Sequence, residues 1–269
     1  MHQSLGSGLI ESVIGVVERA GTLIRQKRLQ GVVAEEKLHG AGPVTSADRA
    51  ADDSLHRELL WLAPAGWLSE ERVDDHRRLH QRRVWIVDPL DGTIEFVRGL
   101  PEYAVSVALV EDGDPILAVI HNPATGDFFW AERGVGAFRN ARAIRVRESE
   151  RLLASRTEFR RGEFAPVAAA WDIKAIGSTA YKMALVAAGE AAATFSRGPK
   201  WEWDVCAGAL LVEEAGGLAT QAFGESLRFN APDPRVGSIL AAAPGAWERV
   251  RHQIEELEPV RGDVAPTAG

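Results

Sequence analysis

Cysteine is almost missing from this 269-residue chain: Cys206 stands alone. That excludes an internal disulfide and fits a reducing compartment. Long apolar runs are also missing. Charges at Glu11, Glu18, Arg19 and Arg25 break the first apolar stretch before a signal-peptide core forms. No segment reaches the roughly 18 to 20 apolar residues of a membrane span. The expectation is a cytoplasmic protein with no membrane partner. A basic excess is absent too. With 38 acidic and 31 basic side chains the formal charge is −7, which argues against a nucleic-acid polymer, since that needs clustered Lys and Arg. The same charge opposes a small anionic substrate unless something local reverses its sign.

What is present is ordinary for a globular protein, with 46% hydrophobic and 26% charged residues. A chain this long buries a sizeable core without staples. Apolar residues at Leu9, Val13, Val16, Val17, Ala20, Leu23 and Ile24 follow helical spacing and predict a helix over residues 4–29. Ala51, Leu55 and Leu59 predict a second over residues 48–62. Runs at 84–87, 103–110, 116–121 and 128–131 read as strands. Gly113 and Gly126 lie in turns between the last three, which form an antiparallel meander. Further on, 178–188 and 204–215 read as helices around a strand at 192–196, and Gly216-Gly217 ends the second helix. Such mixing indicates a layered α/β or α+β fold. The expected division is an N-terminal α+β half over residues 1–147, a C-terminal α/β half over 148–258, and a frayed tail from Pro259 to 269.

The most informative stretch is Trp85-Ile-Val-Asp88-Pro-Leu-Asp91-Gly-Thr93. A buried strand ends in two carboxylates three apart, and oxygen ligands of this kind suit a hard cation. Gly92 permits close backbone approach to a ligand, and free N–H groups at a following helix start would favour phosphate. Consecutive Asp-Pro and Asp-Gly turns explain the same residues equally well. An EF-hand needs acids at alternate positions. An Asp-x-Asp-x-Thr nucleophile motif is broken by the extra residue at Pro89-Leu90.

Three other pieces accompany it: Glu70-Glu71, Thr45-Ser-Ala-Asp48, and Glu202-Trp203-Asp204-Val-Cys206-Ala-Gly208 followed by Glu213-Glu-Ala-Gly-Gly217. Taken singly, each has a plain explanation. Glu70 and Glu71 fit a solvated loop, Thr45 and Asp48 a capping box, and Asp204 the cap of its own helix. Cys206 reads as a small packing residue. Eight tryptophans include Trp201 and Trp203, whose faces accept a base or fill a wall. His76 and His80 sit in an Arg-rich stretch that reads as a solvated helix.

In this order the four blocks resemble the inositol monophosphatase superfamily of magnesium-dependent, lithium-sensitive phosphatases, over roughly residues 5–250. The resemblance implies a layered α/β/α/β/α sandwich of the inositol monophosphatase and fructose-1,6-bisphosphatase type, with its site between the two halves. It implies one Mg²⁺ on Glu70, Asp88 and the Leu90 carbonyl, a second on Asp88, Asp91 and Asp204, and a third, weaker one near Glu70. Glu70, Thr93 and Asp48 are then catalytic, with Thr93 and Asp48 orienting and helping to deprotonate the attacking water. The chemistry is consistent on its own terms. Phosphate-ester hydrolysis needs an activated water, an in-line approach and charge neutralisation, and two divalent ions about 4 Å apart supply all three. The resemblance also suggests a homodimer, with strands of 103–131 at its interface.

Details around the blocks look most like the 3'(2'),5'-bisphosphate nucleotidase branch: Ile94-Glu95-Phe96 after Thr93, Gly177-Ser178 to Lys182, and Gly198-Pro-Lys200-Trp-Glu-Trp-Asp204. Arg197 stands where inositol phosphatases place a hydroxyl-binding Glu, and with Lys200 it would suit a second phosphate. Both cations equally fit an ordinary surface. The expected substrate-binding set is Gly92, Thr93, Ser178, Lys182, Arg197, Lys200 and Asp204, and the expected partner is a small phosphorylated metabolite. The leading expectation is 3'-phosphoadenosine 5'-phosphate. The runner-up is an inositol, sugar or histidinol phosphate. A non-catalytic, metabolite-binding relative would be expected to lack a ligand, and none of the five residues Glu70, Asp88, Asp91, Thr93 and Asp204 is missing.

Overall fold

The computed structural model describes residues 8–36 and 43–255. Helix α1 (Leu9–Leu29) is followed by a short hairpin, β1 (Ala34–Glu36) and β2 (Pro43–Thr45), and then α2 (Ser46–Leu62). Next come β3 (Gly66–Ser69), β4 (Arg83–Asp91), the five-residue helix α3 (Thr93–Val97), β5 (Ala104–Glu111), β6 (Asp114–Asn122), β7 (Asp127–Glu132), β8 (Gly136–Arg139) and β9 (Arg142–Ala143). The remainder comprises β10 (Arg151–Ser155), α4 (Arg156–Arg160), β11 (Asp172–Ile176), α5 (Thr179–Ala187), β12 (Ala193–Ser196), β13 (Lys200–Trp201) and α6 (Glu202–Glu214). It ends with β14 (Leu218–Thr220), β15 (Arg235–Val236), β16 (Ile239–Ala242) and α7 (Pro244–Glu255). The expected frayed tail, and the first residues of the expected N-terminal helix, lie outside the described residues.

Strands β3 to β9 form one sheet in sequence order, with β3 parallel to β4 and the rest antiparallel. A second sheet runs β11-β10-β12-β16-β14. Side-chain alternation decides which face packs where. In β5, Val105, Val107 and Leu109 join a core with Val13, Val17, Ala51 and Leu55 of α1 and α2. Ala104, Ala108 and Val110 point the other way, into a core with α5, α6 and the inner face of the second sheet. The outer face of that sheet, Leu152, Ala154, Phe195 and Leu240, packs against Ala246, Val250 and Ile254 of α7. The result is the five-layered α/β/α/β/α sandwich.

Strands β5 and β6 are covered on both faces within the protomer, because helices lie above and below the sheet, whereas β7 leaves Phe128 and Trp130 partly exposed. One surface expectation changes. The stretch with His76 and His80 is a single turn, Arg77–His80, and it is not wholly solvated. Arg78 is buried there. It donates to Asp74 Oδ2 through Nε and Nη2 at 3.0 and 2.7 Å, to Asn230 Oδ1 at 2.7 Å and to the Ala231 carbonyl at 2.9 Å.

Candidate metal centre and active-site cleft

Strand β4 carries the first two acids. Residues three apart on a regular strand face opposite sides, yet Asp88 pairs with Ser106 and Asp91 with Ala104, so β4 holds one extra residue there. That bulge turns both carboxylates to one side. Pro89 is tolerated inside it because a bulge releases one ladder N–H. Gly92 then takes φ 94°, and a Cβ at this position would lie 2.7 Å from the Glu102 carbonyl oxygen, so only glycine fits. The expected helix does follow: α3 starts at Thr93 with Gly92 at its N-cap and is five residues long.

Asp204 arrives from the first turn of α6, where its Oδ2 accepts the Trp201 N–H at 3.2 Å. Capping and cluster membership coincide in this residue. Single oxygens of Asp88, Asp91 and Asp204 all lie within 4.8 Å of one another. Burial, followed by the charges of Glu70, Asp91 and Asp204, pushes the Asp88 carboxyl well above the usual carboxylate range. Burial, with Asp91 and Glu70 behind it, does the same to Asp204, and Lys200 opposes the effect only in part. Three converging carboxyls at the end of a buried strand leave an uncompensated anionic pocket. A hard divalent cation with oxygen ligands fits that donor set.

Glu70 follows β3 and faces the same cleft. Its loop is not the solvated one its sequence suggested. Ser69 Oγ donates to buried Asp52 Oδ1 at 2.5 Å, and Arg72 Nε reaches Asp52 Oδ2 at 2.5 Å, tying the turn to α2. Asp48, 1% exposed, sits behind Thr93. Its Oδ2 accepts the Thr45 N–H at 2.8 Å, completing the capping box of α2, and its Oδ1 lies 2.9 Å from Thr93 Oγ1. Thr93 Oγ1 is also 3.0 Å from the Leu90 carbonyl.

The cleft holds about 390 Å³ and is lined by Glu70, Asp88, Leu90, Asp91, Gly92, Thr93, Ser178, Lys182, Lys200 and Asp204 among others. A larger cavity of about 630 Å³ between α1 and α2 has no acid cluster, and its Arg19 is already paired with Glu58. Ser178, with φ 58°, caps α5, and Asp91 Oδ2 accepts both Ser178 Oγ and Ala180 N–H at 2.7 Å. Lys182 is buried one turn further along and donates to the Ser178 carbonyl at 2.9 Å. Burial drives its ammonium pKa down, against the pull of Asp91.

The two cations expected to take a second phosphate behave differently. Arg197 does not line the cleft; it is half-buried, and its charge acts on Glu163. Lys200 lines it, but its Nζ is 2.7 Å from Glu158 Oε1, a buried acid that also accepts Ser196 Oγ. Trp201 is 42% exposed at the rim and stacks on Trp203 with centroids 4.8 Å apart. Cys206 is buried in the core between the sheets, as a packing residue would be.

Several supporting residues gave no signal in the sequence. Glu102 accepts the Gly177 N–H at 2.8 Å and pairs with Arg156, holding the end of β11 beside the cleft. Glu202 accepts the N–H groups of Asn230 and Ala231 at 2.7 and 2.9 Å, while Arg78 grips the same dipeptide from the turn after β3. Partners 28 to 153 residues apart leave no pattern in a local window.

The family model of the inositol monophosphatase family matches residues 7–258. The chain is 35% identical over 276 residues to "Inositol-1-monophosphatase" of Rhizobium meliloti (strain 1021), covering 94% of this chain and 98% of that one. It is 44% identical over 241 residues to "Nus factor SuhB" of Xylella fastidiosa (strain Temecula1 / ATCC 700964), covering 84% of each. The extragenic suppressor protein suhB from Bartonella henselae superposes with TM-score 0.81 at 29% identity, over 94% of this chain and 100% of that one. With the acid cluster, the bulged strand and the five layers in place, the chain belongs to the inositol monophosphatase family of metal-dependent phosphatases, which hydrolyse phosphate monoesters.

Proposed function

We propose that this protein is a Mg²⁺-dependent phosphomonoesterase acting on a small polyol monophosphate of the inositol 1-phosphate type. The observation that carries the reading is the convergence of Asp88, Asp91 and Asp204 within 4.8 Å, beside a Thr93 hydroxyl held by buried Asp48. Asp88, Asp91 and Asp204 would hold one Mg²⁺, and Glu70, Asp88 and the Leu90 carbonyl a second, with a third, weaker one near Glu70. When bound, Mg²⁺ acidifies a water and neutralises charge on the phosphoryl oxygens. Thr93 donates its hydroxyl hydrogen bond to Asp48 Oδ1, which leaves its oxygen lone pairs free to accept from, and so orient, the nucleophilic water. Asp91, anchored on Ser178 and the α5 backbone, keeps the acid cluster open toward the cleft. No side-chain nucleophile is needed.

The relatives' names favour the polyol reading over a bisphosphate nucleotidase, and the cations argue the same way. A second phosphate needs an uncommitted positive group, whereas Lys200 is neutralised by Glu158 and Arg197 lies off the cleft. Phosphate release with Mg²⁺ is measured against inositol 1-phosphate, histidinol phosphate, fructose 1,6-bisphosphate and 3'-phosphoadenosine 5'-phosphate. Mg²⁺-dependent turnover led by inositol 1-phosphate is expected. No Mg²⁺-dependent turnover of any of the four would sink the enzymatic reading, and preference for the bisphosphate nucleotide would sink the polyol reading alone.

A further inference from the structure

Ser178 follows Gly177 at the end of β11, and its backbone is strained. With φ 58° and ψ 119° it occupies a region that glycine enters freely and a residue with a Cβ avoids. Such a conformation persists only where the surroundings impose it, and here groups from several elements do. Glu102, itself held by Arg156, accepts the N–H of Gly177 at 2.8 Å. The buried Lys182 ammonium donates to the Ser178 carbonyl at 2.9 Å. The Ser178 hydroxyl accepts the Tyr181 N–H at 3.0 Å and donates to Asp91 Oδ2 at 2.7 Å. A glycine here would relieve the backbone and lose both hydroxyl contacts. What serine adds to this turn is therefore its hydroxyl.

We propose that Ser178 is a positioning residue that sets the cation affinity of the acid cluster, rather than a contact for the substrate. This rests on the Mg²⁺ site of the phosphomonoesterase reading and deepens it. Asp91 ends β4 in the first sheet, and Ser178 follows β11 of the second, so the hydroxyl ties the two halves together at the cluster itself. Asp91 Oδ2 also accepts the Ala180 N–H at 2.7 Å. Two donors take up the lone pairs of that oxygen. They fix the rotation of the carboxylate and leave Oδ1 as the atom it offers a cation. Without the hydroxyl one donor remains, and the carboxylate turns about it. Partners that orient a metal ligand in this way are worth about 10- to 100-fold in metal affinity.

The test compares wild type with Ser178→Ala and Ser178→Gly. Thermal unfolding across a Mg²⁺ titration gives the apparent Kd of the cation with no substrate present. KM for inositol 1-phosphate is then measured at saturating Mg²⁺. Both variants should weaken the apparent Mg²⁺ Kd by about 10- to 100-fold, while KM stays within about threefold of wild type. A residue that only shaped the turn would not give this pair of results. Ser178→Gly separates the two roles, because it accepts the positive φ and lacks the hydroxyl. Wild-type Mg²⁺ affinity in Ser178→Gly would show that the turn matters and the hydroxyl does not, and would overturn the assignment. So would an unchanged Mg²⁺ Kd in both variants, or a KM raised about tenfold or more at saturating Mg²⁺, which would make Ser178 a substrate contact. In each of these cases the phosphatase reading stands. A wild type whose Tm does not respond to Mg²⁺ would overturn the cation site itself, and the assignment with it.

Discussion

Asp48 shows how one carboxylate can hold two elements together. One oxygen closes the capping box of α2 and the other accepts from Thr93 Oγ1, so the local explanation and the proposed catalytic one describe different atoms of a single side chain. The box was legible because Thr45 and Asp48 are three apart in sequence. The Thr93 contact spans 45 residues and was reachable only through family resemblance. If Thr93 orients the water through Asp48, Thr93→Ala should cost about 10² to 10⁴ in kcat, and Thr93→Ser, which keeps the hydroxyl, should recover most of it. An unchanged kcat in Thr93→Ala would remove Thr93 from the mechanism. A second residue gives a pH prediction. His121 is buried, stacks on Phe128 at 3.7 Å and shares a hydrogen bond between Nδ1 and the Asp127 carbonyl at 2.9 Å. Burial, aided by the charge of Arg25, lowers its pKa to about 4. The unfolded chain therefore binds the proton first as pH falls, so stability is full above about 6.5 and is lost between about 6.5 and 4. The loss should approach 3 kcal/mol, read from urea midpoints across that range. His121→Asn should flatten the profile, and a variant with the same slope as wild type would assign the loss to other groups.

Among elements, the meander β5–β7 could be read from the sequence because glycine turns punctuate alternating runs. Strands β3, β10, β11 and β16 could not, since they are only four or five residues long and their partners lie far along the chain. The bulge in β4 was hidden for a different reason. Pro89 and Gly92 look like turn residues, whereas the strand runs through to Asp91 and uses the extra residue to aim both carboxylates. The expected position of Lys200 was right and its freedom was not, because Glu158 is 42 residues away in sequence. The tie between the turn after β3 and the start of α6 is likewise long-range. Arg78 from the turn after β3 and Glu202 from α6 clamp the Asn230-Ala231 dipeptide between them, which fixes the start of the helix that carries Asp204. Replacing Arg78, itself buried, with Met leaves partly exposed Asp74 and the Asn230 side chain without their partner, and should cost about 2 to 4 kcal/mol. The urea midpoint reports it, and a loss below about 1 kcal/mol would show the clamp to be dispensable.

At the scale of the whole molecule, the acidic balance and the layered fold are one matter. Five acids, Asp48, Glu70, Asp88, Asp91 and Asp204, supply most of the excess of 38 acidic over 31 basic side chains, and the fold gathers them at one cleft rather than spreading them over a surface. A bound divalent cation inverts that local sign before an anionic ester arrives. Concentrating like charges in a buried place destabilises the metal-free fold, because desolvation and mutual repulsion act together on Asp88 and Asp204. The metal should therefore act as a folding ligand. At a free Mg²⁺ concentration about 100 times the dissociation constant, the gain is about 2.7 kcal/mol, which for a chain of this size raises Tm by roughly 5 to 10 °C. Asp204→Asn should separate the two contributions. It removes one charge from the cluster, so its metal-free Tm should equal or exceed that of wild type, while the Mg²⁺-induced rise should shrink to a small fraction. Thermal unfolding in chelator and in excess Mg²⁺, run on both proteins, makes the comparison. A Mg²⁺ rise in Asp204→Asn as large as in wild type would mean that the cation binds elsewhere, and the converging acids would then need another explanation.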